Sequence, residues 1–349
     1  MFGHKGKGNY AYVVARVRAK KASLMGDEVY QKMLMMSLPE ISRFISESGY
    51  QKEMAELAGR IGGIDLVEHA TYMNMARVFS DILRSTTGEL RDMVSAYLTK
   101  WDLWNLKVIL RGKAYGADKE SIKEDLVPAG RLNEVMLDKL LSLETDKEVI
   151  EEFGRMEHMK VPPEVVNAFT AEGRLGSVED YFDRLFYTRL LSQLDPSSGP
   201  KRLFQDFIRR EIDTINLETI LILKMEGIFG DDVMKYIIPG GKQIDKKLAT
   251  QLANAETISA AANDLSQLDF YEDIKETLTE NGSLKNFVAA MKKYHIGLTK
   301  KFSSLYPLSV IPVLDFMIRK NIEVDNIRII ARGIESGIDR ETIKELLVI

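Results

Sequence analysis

Four kinds of side chain in this sequence could do chemistry, and each fails a test of spacing. Gly240, Gly241, Lys242 and Gln243 resemble a phosphate-binding loop. Such a loop needs Ser or Thr after its Lys and a Gly five positions before the Gly of its Gly-Lys pair, where this chain has Gln243 and Tyr236. The histidines, His4, His69, His158 and His295, are scattered, and none has another at i+4 as a helical zinc site requires. Ser336, in the stretch Gly333–Gly337, stands one position away from a nucleophile elbow. Asp231 and Asp232 could open a paired-aspartate metal site, but the acid needed at 235 is Lys235, so these carboxylates read as helix caps. The spacings therefore predict no catalytic, cofactor-binding or metal-ligating residue.

Polar residues recur instead in a pattern that positions helices. Residues 102–116 read DLWNLKVILRGKAYG, 213–227 read DTINLETILILKMEG, and 323–337 read EVDNIRIIARGIESG. Each has an acid, an Asn three places on, an apolar helical run and a closing Gly. The anchors Asn105, Asn216 and Asn326 are spaced 111 and 110 residues apart, far beyond the short periods of solenoids and propellers. The register continues after the glycines, where Asp118, Glu120, Ile122 and Lys123 match Asp339, Glu341, Ile343 and Lys344. Pro239, Gly241 and Lys242 stand opposite Pro128, Gly130 and Arg131, while Leu248 and Leu252 stand opposite Leu137 and Leu141. One helical module is thus used three times.

Physical chemistry assigns roles within it. Asp102 and Asp213 are expected to cap a helix N-terminus, with Glu323 a poorer substitute. Leu106, Ile109 and Leu110 fall at i, i+3 and i+4 and give one apolar face. Gly116, Gly227 and Gly337 sit where a chain leaving a helix turns left-handed, and Asp118 and Asp339 then cap the next helix. The repeated Asn reads as a buried amide satisfying backbone groups at a helix crossing.

Elsewhere apolar residues keep helical spacing and alternating strand patterns are absent. Helices are expected over 10–25, with Val13, Val14, Val17 and Leu24 on one side, over 29–47, with Leu34, Ile41, Phe44 and Ile45 inward, and over 78–98. Counterparts of the last begin near Val178 and Leu284. Loops are expected at 59–65, 128–131, 160–164, 195–200 and 239–243. Trp101 and Trp104 both read as core. The fold class is all-α: a single domain over 1–349, with modules at about 78–165, 178–266 and 284–349. The third copy stops at Ile349 before its Pro/Gly turn, and EISRFI (40–45) echoes EVIEEF (148–153). Helices within 10–60 are therefore expected to complete the third module and close a ring.

Composition narrows the function. Among 349 residues, 45% are apolar and 29% charged, with a net charge of −4 and no Cys. That balance supports a sizeable core, disfavours nucleic acid as a main partner, and excludes disulfides and thiol chemistry. No apolar run approaches the roughly 20 residues that span a bilayer. The N-terminus lacks the apolar core of a signal peptide. Arg16, Arg18, Lys20 and Lys21 form the densest basic cluster, read as a solvated helix face, with acidic lipid or an acidic partner as the functional alternative.

With the early helix AYVVARVRAKKASLM (11–25), the thrice-used D-x-x-N-L core and the Pro-x-Gly turns, the chain resembles the C subunit of archaeal and bacterial A/V-type ATP synthases. It is similar also to the d subunit of eukaryotic V-type ATPases, and the likeness runs from about Tyr10 to Val348. The resemblance implies a helical funnel of pseudo-threefold symmetry on the cytoplasmic end of a membrane rotor ring, peripheral to the cell membrane. Its implied partners are the proteolipid subunits of the ring and the D and F subunits of the central shaft, with no cofactor, catalytic residue or nucleic acid. A cytosolic helical scaffold unrelated to the ATPase, or an all-α metal-dependent enzyme, would be the alternatives.

Overall fold

The computed structural model describes residues 6–159, 161–172, 175–194, 199–255, 257, 260, 264–278 and 284–349, and among them no strand occurs. The chain opens with α1 (Tyr10–Lys21), α2 (Asp27–Met33), α3 (Leu38–Ser46) and α4 (Gln51–Leu57). There follow α5 (Gly63–Ser85), α6 (Gly88–Ala114), α7 (Lys119–Glu124), α8 (Glu134–Ser142), α9 (Asp146–Met156) and α10 (Pro163–Glu172). Next come α11 (Leu175–Ser192), α12 (Gly199–Met225), α13 (Asp231–Met234), α14 (Lys246–Asn254) and α15 (Tyr271–Ile274). The last are α16 (Leu284–Leu305), α17 (Ile311–Glu335) and α18 (Arg340–Leu346).

Two expected helices are each split, for readable reasons. The stretch 29–47 breaks because Ser37 and Glu40 form a reciprocal capping box, with Pro39 in the first turn, which starts α3 afresh. The stretch 78–98 breaks at Thr86 and Thr87, both extended, before Gly88 resumes at φ 56°. At Gly88 a Cβ would lie 2.6 Å from the carbonyl oxygen of Gly6, so only Gly admits the N-terminal segment that crosses there. The first repeat segment is accordingly the distal half of α6 rather than a helix of its own. Helices also begin earlier than expected in three loops, α5 at Gly63, α10 at Pro163 and α12 at Gly199. Residues 160 and 195–198 of these loops lie outside the described residues.

Three apolar cores hold these elements. The largest joins α1, α5, α6, α8, α9, α11, the first half of α12 and the first half of α17 around Phe79, Tyr97, Phe153, Phe204 and Phe316. A second joins Ile41, Ile45, Tyr50 and Met54 to Ile327, Ile330, Ile343 and Leu347, so α3 and α4 pack on α17 and α18. The third gathers α12, α14 and α16 around Leu217, Ile220, Leu252, Phe270 and Met291. Each fully buried side chain of this size contributes about 1.5–3 kcal/mol. As expected, Val13, Val14 and Val17 of α1 are buried; Leu24 is half-buried, and Phe44 likewise. No helix among the described residues is long and apolar enough to cross a membrane.

Candidate functional site: three side-chain clamps and the helix faces beside them

The repeated Asn does the same thing three times. Asn105 Nδ2 donates to the Val127 carbonyl and its Oδ1 accepts the Val127 N–H, both at 2.7 Å. Asn216 holds Ile238 in the same way at 2.8 Å, and Asn326 holds Val348 at 3.0 Å. The partner is 22 residues on in every case. A carboxamide offers one donor and one acceptor side by side, which matches the two groups of a single extended residue and leaves neither buried group unpaired.

The repeated acid holds the next stretch of main chain. Asp102 accepts the N–H groups of Arg131 at 2.8 Å and Leu132 at 2.9 Å. Asp213 accepts those of Lys242, Gln243 and Ile244 at 3.0, 2.8 and 2.9 Å. These acids are not the N-caps expected of them: each lies inside a 27-residue helix and is buried, so no free helix N-terminus is within reach. They fasten the Pro/Gly turn instead, and Gly is required there. A Cβ on Gly130 would fall 2.1 Å from Asp102 Oδ1, and one on Gly241 2.3 Å from Asp213 Oδ1. Glu323 takes its N–H from Met25, at 2.6 Å, and adds bonds from the Tyr50 hydroxyl at 2.5 Å and Lys320 Nζ at 2.8 Å. The remaining signature residues behave as expected. Gly116, Gly227 and Gly337 have φ of 71°, 78° and 68°, and Asp118 and Asp339 cap α7 and α18.

Burial shapes the charge of these acids. Asp102 is pushed up to about 8 by burial and then by Glu157, against the pull of its two N–H donors. Asp213 is raised by burial, with three donors opposing. Lys320 is pushed down by burial despite Glu323 beside it.

On the other faces of the long helices, charged residues from all three copies feel one another. Position 100 of α6 corresponds to 211 of α12 and 321 of α17, giving Lys100, Glu211 and Asn321. Lys100 stands 4.0 Å above the Tyr97 ring and is pushed down by burial, while Glu211 and Asp325 oppose that shift. Glu211 accepts the hydroxyls of Tyr97 at 3.3 Å and Tyr187 at 2.9 Å. His295 of α16 is lowered by burial, with Glu211 opposing and Lys100 adding to it, and its buried Nε2 has no partner among the described residues. Asp325 is raised by burial, against Arg328, Lys292 and Lys100. Glu211 of α12, His295 of α16 and Asp325 of α17 thus lie within electrostatic reach of Lys100 of α6. One member was misread from sequence: Trp101 is buried, but Trp104 is 39% exposed on this region of α6.

The remaining chemical candidates take structural parts. The N–H groups of Lys242 and Gln243 are occupied by Asp213, so the phosphate-loop lookalike is a clamped turn. Asp231 and Asp232 lie in the first turn of α13 behind an N-cap supplied by Gly230, and Asp232 pairs with Lys235. They are first-turn acids rather than caps. Ser336 is the exposed C-cap of α17. His69, His158 and His295 remain apart, His4 lies outside the described residues, and no group able to hold a metal ion occurs among the described residues. The basic face of α1 serves the fold: Arg16 and Lys20 pair with Asp81, and Lys21 with buried Asp315.

Comparison with known proteins agrees with this architecture. The chain is 36% identical to the A-type ATP synthase C subunit of Methanococcoides burtonii over 98% of its length and 94% of the relative's. It is 34% identical to that of Methanosarcina acetivorans, covering 99% and 94%, and 34% identical to that of Haloferax volcanii, covering 99% of both. The profile described as ATP synthase (C/AC39) subunit matches residues 13–346. A profile match across nearly the whole chain, together with relatives aligned end to end, makes this protein a member of the ATP synthase (C/AC39) subunit family.

Proposed function

We propose that the chain is the non-catalytic C subunit in the central stalk of an A-type ATP synthase. It sits on the cytoplasmic end of the membrane rotor ring, receives the D and F subunits of the shaft, and carries torque between them. The observation that carries this reading is the likeness to relatives named as the C subunit over nearly the full length of both chains. The interior of α6, α12, α16 and α17 is the seat offered to the shaft, within a funnel of pseudo-threefold symmetry. Helices 10–60 complete the third unit, the bond from Met25 to Glu323 and the core shared by α3, α4, α17 and α18 supporting that closure.

Attachment to the membrane runs through the ring. The chain should bind reconstituted rotor rings and ignore protein-free anionic vesicles at physiological salt. It should also bind a complex of D and F, and Lys100→Glu combined with Asp325→Lys should weaken that binding while helicity is retained. Flotation with bare vesicles, or unaltered binding of D and F by the charge-reversed variant, would count against the reading.

A further inference from the structure

Beside the first clamp lies a cavity of about 230 Å³ between α6, α11 and the turn after α9. Arg91, Arg131 and Arg189 line it, with Ser95, Glu157 and His158. Arg131 is the residue whose N–H the Asp102 clamp fixes, so its side chain leaves a pinned backbone. Glu157 is buried; its carbonyl accepts from Arg189 Nη1 at 2.7 Å and its carboxylate from Arg131 Nη1 at 3.4 Å. Arg91 gives one bond, to the Leu83 carbonyl at 2.9 Å. A guanidinium has five N–H donors, and these bonds among the described residues use one on each. Three guanidinium groups here face two carboxylates, Glu157 and Asp92.

The second copy shows what such a place requires. Positions 91, 95 and 131 correspond to 202, 206 and 242, which are Arg202, Asp206 and Lys242. Those three again line one pocket. There the Asp206 carboxylate accepts from Lys242 Nζ at 2.5 Å and from Arg210 Nε at 3.3 Å. Both copies thus hold a carboxylate among their cations, Glu157 in the first and Asp206 in the second, and both keep a pocket; at the position of Asp206 the first copy has only the short Ser95 hydroxyl. Arg189 of the first copy is pushed below the ordinary guanidinium range by burial, with Glu157 opposing and Arg131 adding to the shift.

The geometry points to a binding site in this cavity for a compact oxyanion of the phosphate class, held by Arg91, Arg131 and Arg189 at the place that Asp206 fills in the second copy. Planar guanidinium forks suit tetrahedral oxyanions, and charge-assisted bonds from a fixed backbone lose little freedom on binding.

The test is a titration of the full-length chain with inorganic phosphate at constant ionic strength, followed by calorimetry and by arginine side-chain resonances. Saturable binding is expected. Ser95→Asp installs the internal carboxylate of the second copy and should cut phosphate affinity about tenfold or more, while Ser95→Ala keeps most of it. Arg131→Gln should weaken binding comparably and decides the matter should Ser95→Asp lose its fold. A second arm uses phosphatidylglycerol vesicles against phosphatidylcholine ones. Response to free phosphate assigns a dissolved anion and leaves attachment through the ring untouched; flotation on the anionic vesicles, lost in Ser95→Asp, assigns a lipid headgroup and counts against attachment through the ring alone. No response to either, or a response that folded Ser95→Asp or Arg131→Gln leaves intact, overturns the site.

Discussion

The second and third clamps apply one chemistry to two different stretches of chain. Asp213 fastens a turn that follows it by 29 to 31 residues. Glu323 fastens Met25, 298 residues away in sequence. A nearby turn is returned cheaply by the intervening helices, whereas a distant segment must be brought in against a larger closure entropy. The third clamp has as many donors but a different make-up, one backbone N–H and two side chains against three backbone N–H groups. Its acid is one methylene longer, and Tyr50 and Lys320 converge on the same carboxylate, Tyr50 also receiving Lys320 Nζ at 2.8 Å. The distant contact thus draws on side-chain donors where the local one uses only backbone.

The largest effect should come from Glu323→Ala. It strands buried Lys320 and should cost about 3–5 kcal/mol in urea unfolding. Hydrogen exchange should show loosening of α2 to α4 in this variant, whereas Asp213→Ala loosens only its own turn. Equal protection of α2 to α4 in both would break the comparison. Next come Asn216→Leu, which leaves a buried N–H and C=O unpaired, and Asn105→Leu, which leaves the Val127 N–H unpaired while its carbonyl keeps the Ala129 N–H, at about 2–4 and about 1–3 kcal/mol. Asn326→Leu should cost about 1 kcal/mol, since the bonds to Val348 are only partly buried and water can replace them. Gly130→Ala should cost about 1–3 kcal/mol by overpacking Asp102. Gly26→Ala, beside Met25 and with open space around it, should stay within about 0.5 kcal/mol.

A last test separates the first clamp from the second through pH. Asp102 is held up to about 8 by burial and Glu157, while an unfolded Asp titrates near ~3.9. The folded chain thus keeps a proton that the unfolded chain has shed, and stability falls as pH rises from about 4 through about 8. Asp102→Asn should flatten that decline across the upper half of this window in urea midpoints. Asp213→Asn should flatten it less, because a third N–H donor opposes the upward push there. A decline that Asp102→Asn leaves unchanged would assign the proton elsewhere.

Helices, left-handed glycines and the caps at Asp118 and Asp339 were readable because each is a local decision between neighbouring residues. The burial and backbone role of the three Asn residues followed from their type and repetition. Their acids were misread as caps because Asp next to an apolar helical run is a local signal. The real partners, 29 or more residues distant, are a tertiary fact. The break at Thr86 and Thr87 was hidden for the same reason: the crossing of Gly6 at Gly88 comes from outside the helix. Trp104 was placed inside by analogy with Ile215, yet it is exposed on the region shared with Lys100 and Asp325. The first-copy cavity was illegible because three arginines far apart in sequence say nothing until α6, α11 and the clamped turn meet.

Because the three Asn residues and the acids of the first two clamps grip only main-chain N–H and C=O groups, they are blind to the side chains they hold. Val127, Ile238 and Val348 satisfy the Asn alike, and Arg131, Lys242 and Met25 each present a backbone amide to the acid. Copies of an ancestral unit could therefore diverge freely at these turns without loosening the scaffold, provided a Gly stayed beside Asp102 and Asp213. Selection on the gripped turns is released from architecture and left to act on what their side chains meet: a self-contained ion pair in one copy, a guanidinium-lined hollow in another.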